Sequence, residues 1–303
     1  MGISLKRCGV VGCGAMGSGI AKSLLKAGYR VAVYDVRCET ALKLAEAGAV
    51  YCGNVQDLVK RSRVVITSLP SPEVLSDVLA GERGIFSYLH EGRYVLDQGT
   101  TDVELTRRLH RTAKEKGIAF LDCPVSGGPA KAHSGTLTIM VGGEKAQYDA
   151  VLPVLNAVGE TIQYVGKSGS GQVVKLCNNI VVAGTIVLLC EAFLTAEREG
   201  VPSDTVGQVL KTGSGGSNAL SVFGPNMINR DYHNVLFMLG HMAKDVRLFY
   251  QMTKTLHIPA QLSSVVHTLF EQAVEDGKTH LDTAGIMSLF EEWINKNEKG
   301  KEA

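Results

Sequence analysis

The sequence predicts an α/β protein in which a mainly parallel, doubly wound sheet is followed by an all-helical C-terminal domain. Three observations predict it. A complete G-x-G-x-x-G stands directly after the first apolar run, short apolar runs then alternate with helical stretches to about residue 167, and beyond that point strand signals nearly vanish. The expected domains are therefore residues 1–167, of the dinucleotide-binding Rossmann type, and residues 168–303.

The glycine motif comes first in the chain and carries most of the functional information. In GCGAMG, Gly12 permits a tight strand-to-helix turn and Gly14 lets a pyrophosphate approach the backbone. Gly17, after Ala15 and Met16, lets the helix over 17–27 sit close on the sheet. The phosphates then face the positive end of that helix. Asp35 closes the second apolar run, YRVAVYD, at the distance at which an acid bonds a ribose hydroxyl, so a dinucleotide is the expected ligand. A carboxylate there favours NAD over NADP, although Arg37, two residues on, is able to pair with an extra phosphate.

The runs RVVITSLP, RYVLDQGT, IAFLDCPV, TLTIMVGG and TIQYVG read as further strands, separated by helical stretches such as 102–116 and 144–157. In the second half, helical patterns cover 171–200, 203–211, 219–228, 239–257, 259–276 and 281–297, and the charged tail 296–303 is expected to fray. Within the first of these helices the stretch 180–190 is apolar all round, which predicts burial, and its 11 residues are too few to span a bilayer. Lys175 and Asn179 stand one turn apart on one face at its start. A lysine entering a buried helix snorkels or finds a partner. A desolvated lysine is also a suitable proton donor to an oxygen whose carbon receives hydride.

Composition narrows the class. The 303 residues carry 31 basic and 30 acidic side chains, for a formal charge of +1, and contain no basic block, so neither nucleic acid nor an anionic membrane is an expected partner. Seven cysteines without C-x-x-C spacing argue against a disulfide framework or structural zinc; they read as small hydrophobes in a reducing compartment. His241 and Asp245 have i,i+4 spacing but no third ligand, so no metal is expected. Tyr250 and Lys254 form a Y-x-x-x-K that lies deep in a helical pattern and is read as chance. His133 is read as a solvated loop residue. With the first strand starting close to Met1 and KEA at the end, the chain is expected to be cytoplasmic.

The order GCGAMG, DCPVSGGPAKAHSGTL, GSGQVVKLCNN and MAKD, spread over essentially the whole chain, resembles the β-hydroxyacid dehydrogenase family, close in plan to 3-hydroxyisobutyrate dehydrogenases. The resemblance implies hydride transfer between NAD(P) and a small β-hydroxy acid bound at the domain junction, in a homodimer or homotetramer. It implies that Ser126, Gly127 and Gly128 hold the substrate carboxylate, that Lys175 donates and accepts the proton, and that Asn179 orients the substrate. Leu69, Pro70, Thr100 and Lys244 are implied to border the cofactor, and Phe237 to wall the pocket. Physically, the two glycines after a strand expose N–H groups able to grip a carboxylate.

Three departures from the family pattern stand out. Cys123 replaces a usual alanine and is read as packing; Asp97-Gln98-Gly99-Thr100 replaces D-x-S-T, keeping the threonine in an expectedly looser loop; and Gly215-Gly216-Ser217-Asn218 lacks the arginine or bulky aromatic often found nearby. The last leaves the identity of the acid open. The alternatives are an imine reductase on the same scaffold, whose members commonly lack the lysine, and a non-catalytic dinucleotide-binding scaffold protein, which has no need of Lys175, Asn179 or the SGG turn.

Overall fold

The structure, a computed structural model, describes residues 5–299. The chain forms two compact units, the first ending at Lys175 and the second beginning at Leu176. In chain order the first unit contains β1 (Arg7–Val11), α1 (Ala15–Lys26), β2 (Arg30–Tyr34), α2 (Cys38–Glu46), β3 (Val50–Tyr51), α3 (Val55–Arg61), β4 (Val64–Thr67), α4 (Pro72–Ala80), α5 (Ile85–Tyr88), β5 (Tyr94–Asp97), α6 (Val103–Glu115), β6 (Ala119–Asp122), β7 (Val125–Ser126), α7 (Gly128–Ser134), β8 (Leu137–Gly142), α8 (Lys145–Leu155) and β9 (Gly159–Gly166). The strands lie in the order β3-β2-β1-β4-β5-β6-β8-β7, with β9 on β8. β1 to β6 are parallel, β8 runs antiparallel to β6 and β7, and β9 runs parallel to β8.

Strand alternation explains the double winding, because a pleated strand turns successive side chains to opposite faces. Val10, Ile66, Leu96 and Leu121 pack on one face with Ile20 and Leu24 of α1, Leu44 of α2 and Val151 of α8. Their neighbours Val11, Val65, Val95 and Phe120 pack on the other face with Leu58 of α3, Leu75 of α4, Phe86 of α5 and Leu109 of α6. Helices are started by side chains that accept N–H groups of the first turn, as Asn54, Ser71 and Asp102 do.

α9 (Ser170–Arg198) follows, and then α10 (Ser203–Thr212), α11 (Asn218–Asn229), α12 (Leu239–Thr255), α13 (Gln261–Glu275) and α14 (Met287–Lys299). The helical unit buries Ala183, Ile186, Cys190 and Phe193 of α9 with Leu220, Met242, Val246, Phe270 and Leu289. Two expectations are corrected here. Instead of one helix from residue 281, short 3-10 turns precede α14, because the buried carboxylate of Asp282 accepts N–H groups of Ala284, Leu236 and Phe237 and holds this stretch out of an α-helix. The apolar run of α9 is also not buried all round, since Val181 and Leu188 are 67 % and 66 % exposed. By length and composition α9 is apolar enough to cross a membrane, a test that core helices also pass, and one of its faces belongs to the helical core.

The start of α9 is set by Asp122, at the end of β6 and fully buried. Its Oδ1 accepts the N–H of Gly169 at 2.8 Å and its Oδ2 that of Gln172 at 3.2 Å. Burial raises the carboxyl pKa, and these N–H groups with that of Gly171 pull it back. Because the folded value lies above the unfolded one, the contribution of this group to stability is greatest in acid and declines as pH rises through the folded pKa. Asp122→Ala orphans two buried donors, at about 1–3 kcal/mol each, partly offset by the charge no longer buried, so urea denaturation is expected to show a loss of about 2–4 kcal/mol. An alanine variant as stable as the natural protein contradicts this role.

Candidate active site

β1 lies between β2 and β4, where the strand order reverses, and ligands of open α/β sheets gather beyond the carboxyl ends of strands at such a point. The glycine turn occupies this position. Gly12 has φ +89°, and a Cβ there would come 2.2 Å from Ser68 O; a Cβ on Gly17 would come 1.8 Å from Gly12 O. The close approach of Gly17 is thus to the carbonyl of Gly12 itself. A Cβ on Gly14, by contrast, would meet nothing within 4 Å, and no side chain caps the first turn of α1. Two glycines are demanded by the protein's own backbone, while the middle one leaves an open cradle at a helix N-terminus, which fits a pyrophosphate.

Asp35 stiffens this turn. Its Oδ2 accepts the N–H of Cys13 at 2.6 Å, its Oδ1 that of Arg37 at 2.8 Å, and the Arg37 Nε lies 3.9 Å away. Burial, reinforced by the Asp35 charge, pushes the Cys13 thiol up to about 12, so it stays protonated at neutral pH. Beside Gly14 a cleft of about 330 Å³ is lined by Lys22, Arg37, Thr40 and Lys43.

The loops after β4 and β5 come next to the turn. Leu69 Cδ2 lies 3.2 Å from the Cβ position of Gly12, and Leu69 O lies 3.3 Å from that of Gly99; Pro70 is exposed. The loop carrying Thr100 is not loose. The Gln172 side chain clamps it from both sides, Nε2 donating to Gly99 O at 3.0 Å and Oε1 accepting the Thr101 N–H at 3.1 Å. Ser126 pairs with Thr138 across β7 and β8, and Gly127 and Gly128 follow at φ +128° and +67°, a left-handed conformation suited to glycine. His133 lies in α7, not in a loop. The stem of Lys131, also on α7, folds against Gly127, with Cδ 2.6 Å from the Cβ position. Cys123 is fully buried, and burial holds its thiol well above the ordinary range, as packing requires.

Lys175 stands on α9, three residues after Gln172 and four before Asn179, and is 7 % exposed. In the helical unit Asn179 is fixed from two directions. Its Nδ2 donates to Asp245 Oδ2 at 2.6 Å, and its Oδ1 accepts from Asn178 at 3.0 Å. The other oxygen of Asp245, a residue 2 % exposed, lies 2.7 Å from Lys244 Nζ in an ion pair. The backbone of Phe237 is held by two distant side chains: the Asp282 carboxylate accepts its N–H at 3.0 Å, and its carbonyl accepts from the Thr283 hydroxyl at 2.7 Å. The ring lies 6.0 Å from that of His241, whose pKa is lowered by burial and by Lys244. Sequence reasoning passed over Gln172, Asp282 and Lys131 and weighed Asp245 only as a metal ligand, because their partners are identified only by the fold.

The glycine turn gives a separable expectation. Gly12→Ala or Gly17→Ala forces backbone apart and lowers the melting temperature, whereas Gly14→Ala leaves it nearly unchanged and weakens cofactor binding at least tenfold in a fluorescence titration, by filling the cradle. Normal cofactor affinity in Gly14→Ala contradicts the cradle.

Comparison with known proteins accords with this geometry. Residues 7–166 match the family model for the NAD binding domain of 6-phosphogluconate dehydrogenase, and residues 169–290 match that for the NAD-binding domain of NADP-dependent 3-hydroxyisobutyrate dehydrogenase. The chain is 33 % identical to an uncharacterized oxidoreductase of Bacillus subtilis, covering 95 % of this chain and 99 % of that one. It is 32 % identical to the NAD-dependent L-serine dehydrogenase of Pseudomonas aeruginosa, covering 95 % and 98 %. In structure it is similar to Mycobacterium tuberculosis 3-hydroxyisobutyrate dehydrogenase with L-serine, at TM-score 0.86, 27 % identity and coverage of 93 % and 98 %. Imine reductases are more distant structural neighbours, 19–21 % identical, and share the fold alone. The chain belongs to the β-hydroxyacid dehydrogenase family and is an NAD(P)-dependent oxidoreductase of small β-hydroxy acids.

Proposed function

We propose that the substrate is a β-hydroxy acid held by its carboxylate at Ser126, Gly127 and Gly128, and that Lys175 takes the hydroxyl proton during oxidation. The observation that carries this reading is the burial of Lys175 one turn before Asn179, whose amide is locked by Asp245. A lysine placed in such a buried position is an effective general acid and base. The nicotinamide of the bound cofactor supplies the hydride acceptor. Asn179 keeps one Nδ2 hydrogen beyond those used in its two bonds, available to orient the hydroxyl. The Lys131 ammonium, which makes no ion pair among the described residues, adds positive charge beside the carboxylate turn. The relatives named for serine and 3-hydroxyisobutyrate favour an acid of three or four carbons. Free thiols at Cys38 and Cys177, both exposed, fit a cytoplasmic enzyme, and the uncharged exposed face of α9 fits a homo-oligomer.

NAD is the proposed cofactor, on the strength of the Asp35 carboxylate. A second reading, NADP, is favoured by one observation: Lys22, Arg37 and Lys43 converge on the cleft beside Gly14. The ratio of kcat/KM values for the two cofactors decides between them. A ratio above one for NAD, falling in Asp35→Ala, supports the first reading; a ratio below one gives the cleft to the 2′-phosphate.

Lys175→Met keeps the packing of the stem and removes the acid/base group. Turnover is expected to fall by roughly 10²- to 10⁴-fold with cofactor affinity little changed. A folded Lys175→Met protein that retains more than about a tenth of natural turnover contradicts the assignment.

A further inference from the structure

At the loop after β5, two buried glutamines are in opposite states. Gln172, fully buried, uses both ends of its amide, on the Gly99 carbonyl and on the Thr101 N–H. Gln98, 4 % exposed, uses neither: among the described residues no group bonds its Nε2 or its Oε1. A buried amide left unpaired is costly, and a native structure that keeps one calls for a partner from outside the chain. Gln98 also stands at the unspecified position of the D-x-S-T pattern, so its amide is a feature of this chain and not of the family plan.

The sheet register gives the direction of Gln98. Val10, Ile66, Leu96 and Leu121 stand abreast on β1, β4, β5 and β6 and share one face. The next tier on that face, toward the carboxyl ends, is Gly12, Ser68, Gln98 and Cys123. Backbone bonds from the Ser68 N–H to Val11 O, from the Gln98 N–H to Thr67 O and from the Cys123 N–H to Asp97 O carry the ladder that far. Both neighbours of Gln98 in this tier point to the side of α1: Ser68 Cβ lies 3.4 Å from the Cβ position of Gly17, and Cys123 belongs to the core under α1. α7 lies on the same face, where Ser23 of α1 donates to Ala132 O at 2.7 Å. Gln98 thus stands two strand spacings, about 10 Å, from the glycine turn, on the side away from Asp35 and one strand from β6, which leads into Ser126-Gly127-Gly128. With the pyrophosphate at Gly14 and the adenine ribose at Asp35, this is the side to which the nicotinamide half of a dinucleotide extends.

We propose that the Gln98 side chain pairs with the carboxamide of the nicotinamide ring, Nε2 donating to its carbonyl and Oε1 accepting from its NH2. The proposal deepens the function proposed above and rests on it. Two primary amides are complementary, each offering one donor edge and one acceptor, so a single ligand group completes both ends of Gln98. A substrate carboxylate only accepts and would leave Oε1 unpaired. Two parallel bonds also fix the rotation of the ring about its bond to ribose. The carbon that exchanges hydride is next to the one bearing the carboxamide, so its place before the substrate is fixed with it. NAD and NADP share this group, and the role of Gln98 is therefore independent of the 2′-phosphate.

The test joins cofactor binding to the melting of the cofactor-free protein and needs no turnover. 3-Acetylpyridine adenine dinucleotide has a methyl group where NAD has the carboxamide NH2, so it keeps the acceptor and loses the donor; the 2′-phosphorylated pair serves if NADP binds better. In fluorescence titrations the natural protein is expected to bind this analogue about five- to tenfold more weakly than NAD, the effect of one hydrogen bond lost at a buried acceptor. Gln98→Met should bind NAD about tenfold more weakly than the natural protein does and should no longer distinguish the two dinucleotides. Without cofactor, Gln98→Met should melt at or above the temperature of the natural protein, because no bond within the chain is lost. A natural protein that binds both dinucleotides equally overturns the pairing and leaves the dehydrogenase reading intact, a comparison that does not depend on the variant folding. A Gln98→Met protein that melts several degrees lower and still distinguishes the two assigns the amide to the fold and overturns the pairing as well. A natural protein that binds neither NAD nor NADP overturns both readings.

Discussion

The carboxylate of Asp122 determines where α9 begins, and the proposed proton-transfer chemistry depends on that helix. A fully buried carboxylate is costly, but two of the helix's otherwise orphaned N–H groups end on its two oxygens, in the region where the helix dipole is positive. This fixes both the rotation and the starting height of the helix. Gln172, in the first turn, then reaches the carbonyl of Gly99 and the N–H of Thr101, so the same turn that is anchored also anchors the loop of Thr100. Lys175 follows by three residues. Its place is set by backbone hydrogen bonds before any substrate contact is made.

The same device recurs. Asp35 joins the glycine turn to the end of β2, Asp245 locks Asn179 while pairing with Lys244, and Asp282 holds Phe237 and the 3-10 turns before α14. In each case a buried or nearly buried carboxylate has its charge compensated by donors of the main chain or of a functional side chain, as a charge removed from water requires. Side chains that must be accurate to fractions of an ångström are thus held by short, charge-assisted bonds, which tolerate little rotation. The apolar cores on the two sheet faces, and that of the helical unit, supply the bulk of the burial but not this precision.

Much of the fold was legible in the sequence, because its signals are local. The alternation of Val10 and Val11, or of Leu96 and Asp97, is readable along a strand, and G-x-G-x-x-G states its own turn. The site was legible only in part. Lys175 and Asn179 are visible as an i,i+4 pair, but their chemistry came from the resemblance to a family. Asp122, Gln172, Asp245 and Asp282 were not legible as organisers, since their long-range partners lie 45 to 73 residues away and the pairing exists only after folding. The start of α14 was misplaced for the same reason. The apolar face of α9 was misread because hydrophobicity along a helix does not distinguish side chains packed in a core from apolar side chains left at the surface.

The most direct test of this account is a crystal structure of the ternary complex with NAD and a β-hydroxy acid that the enzyme turns over. The account predicts the Lys175 Nζ within about 3.2 Å of the substrate hydroxyl oxygen, with the α9 start still bonded to Asp122. A complex in which the hydroxyl is hydrogen-bonded to a different acid or base, with Lys175 directed away from it, would contradict the account.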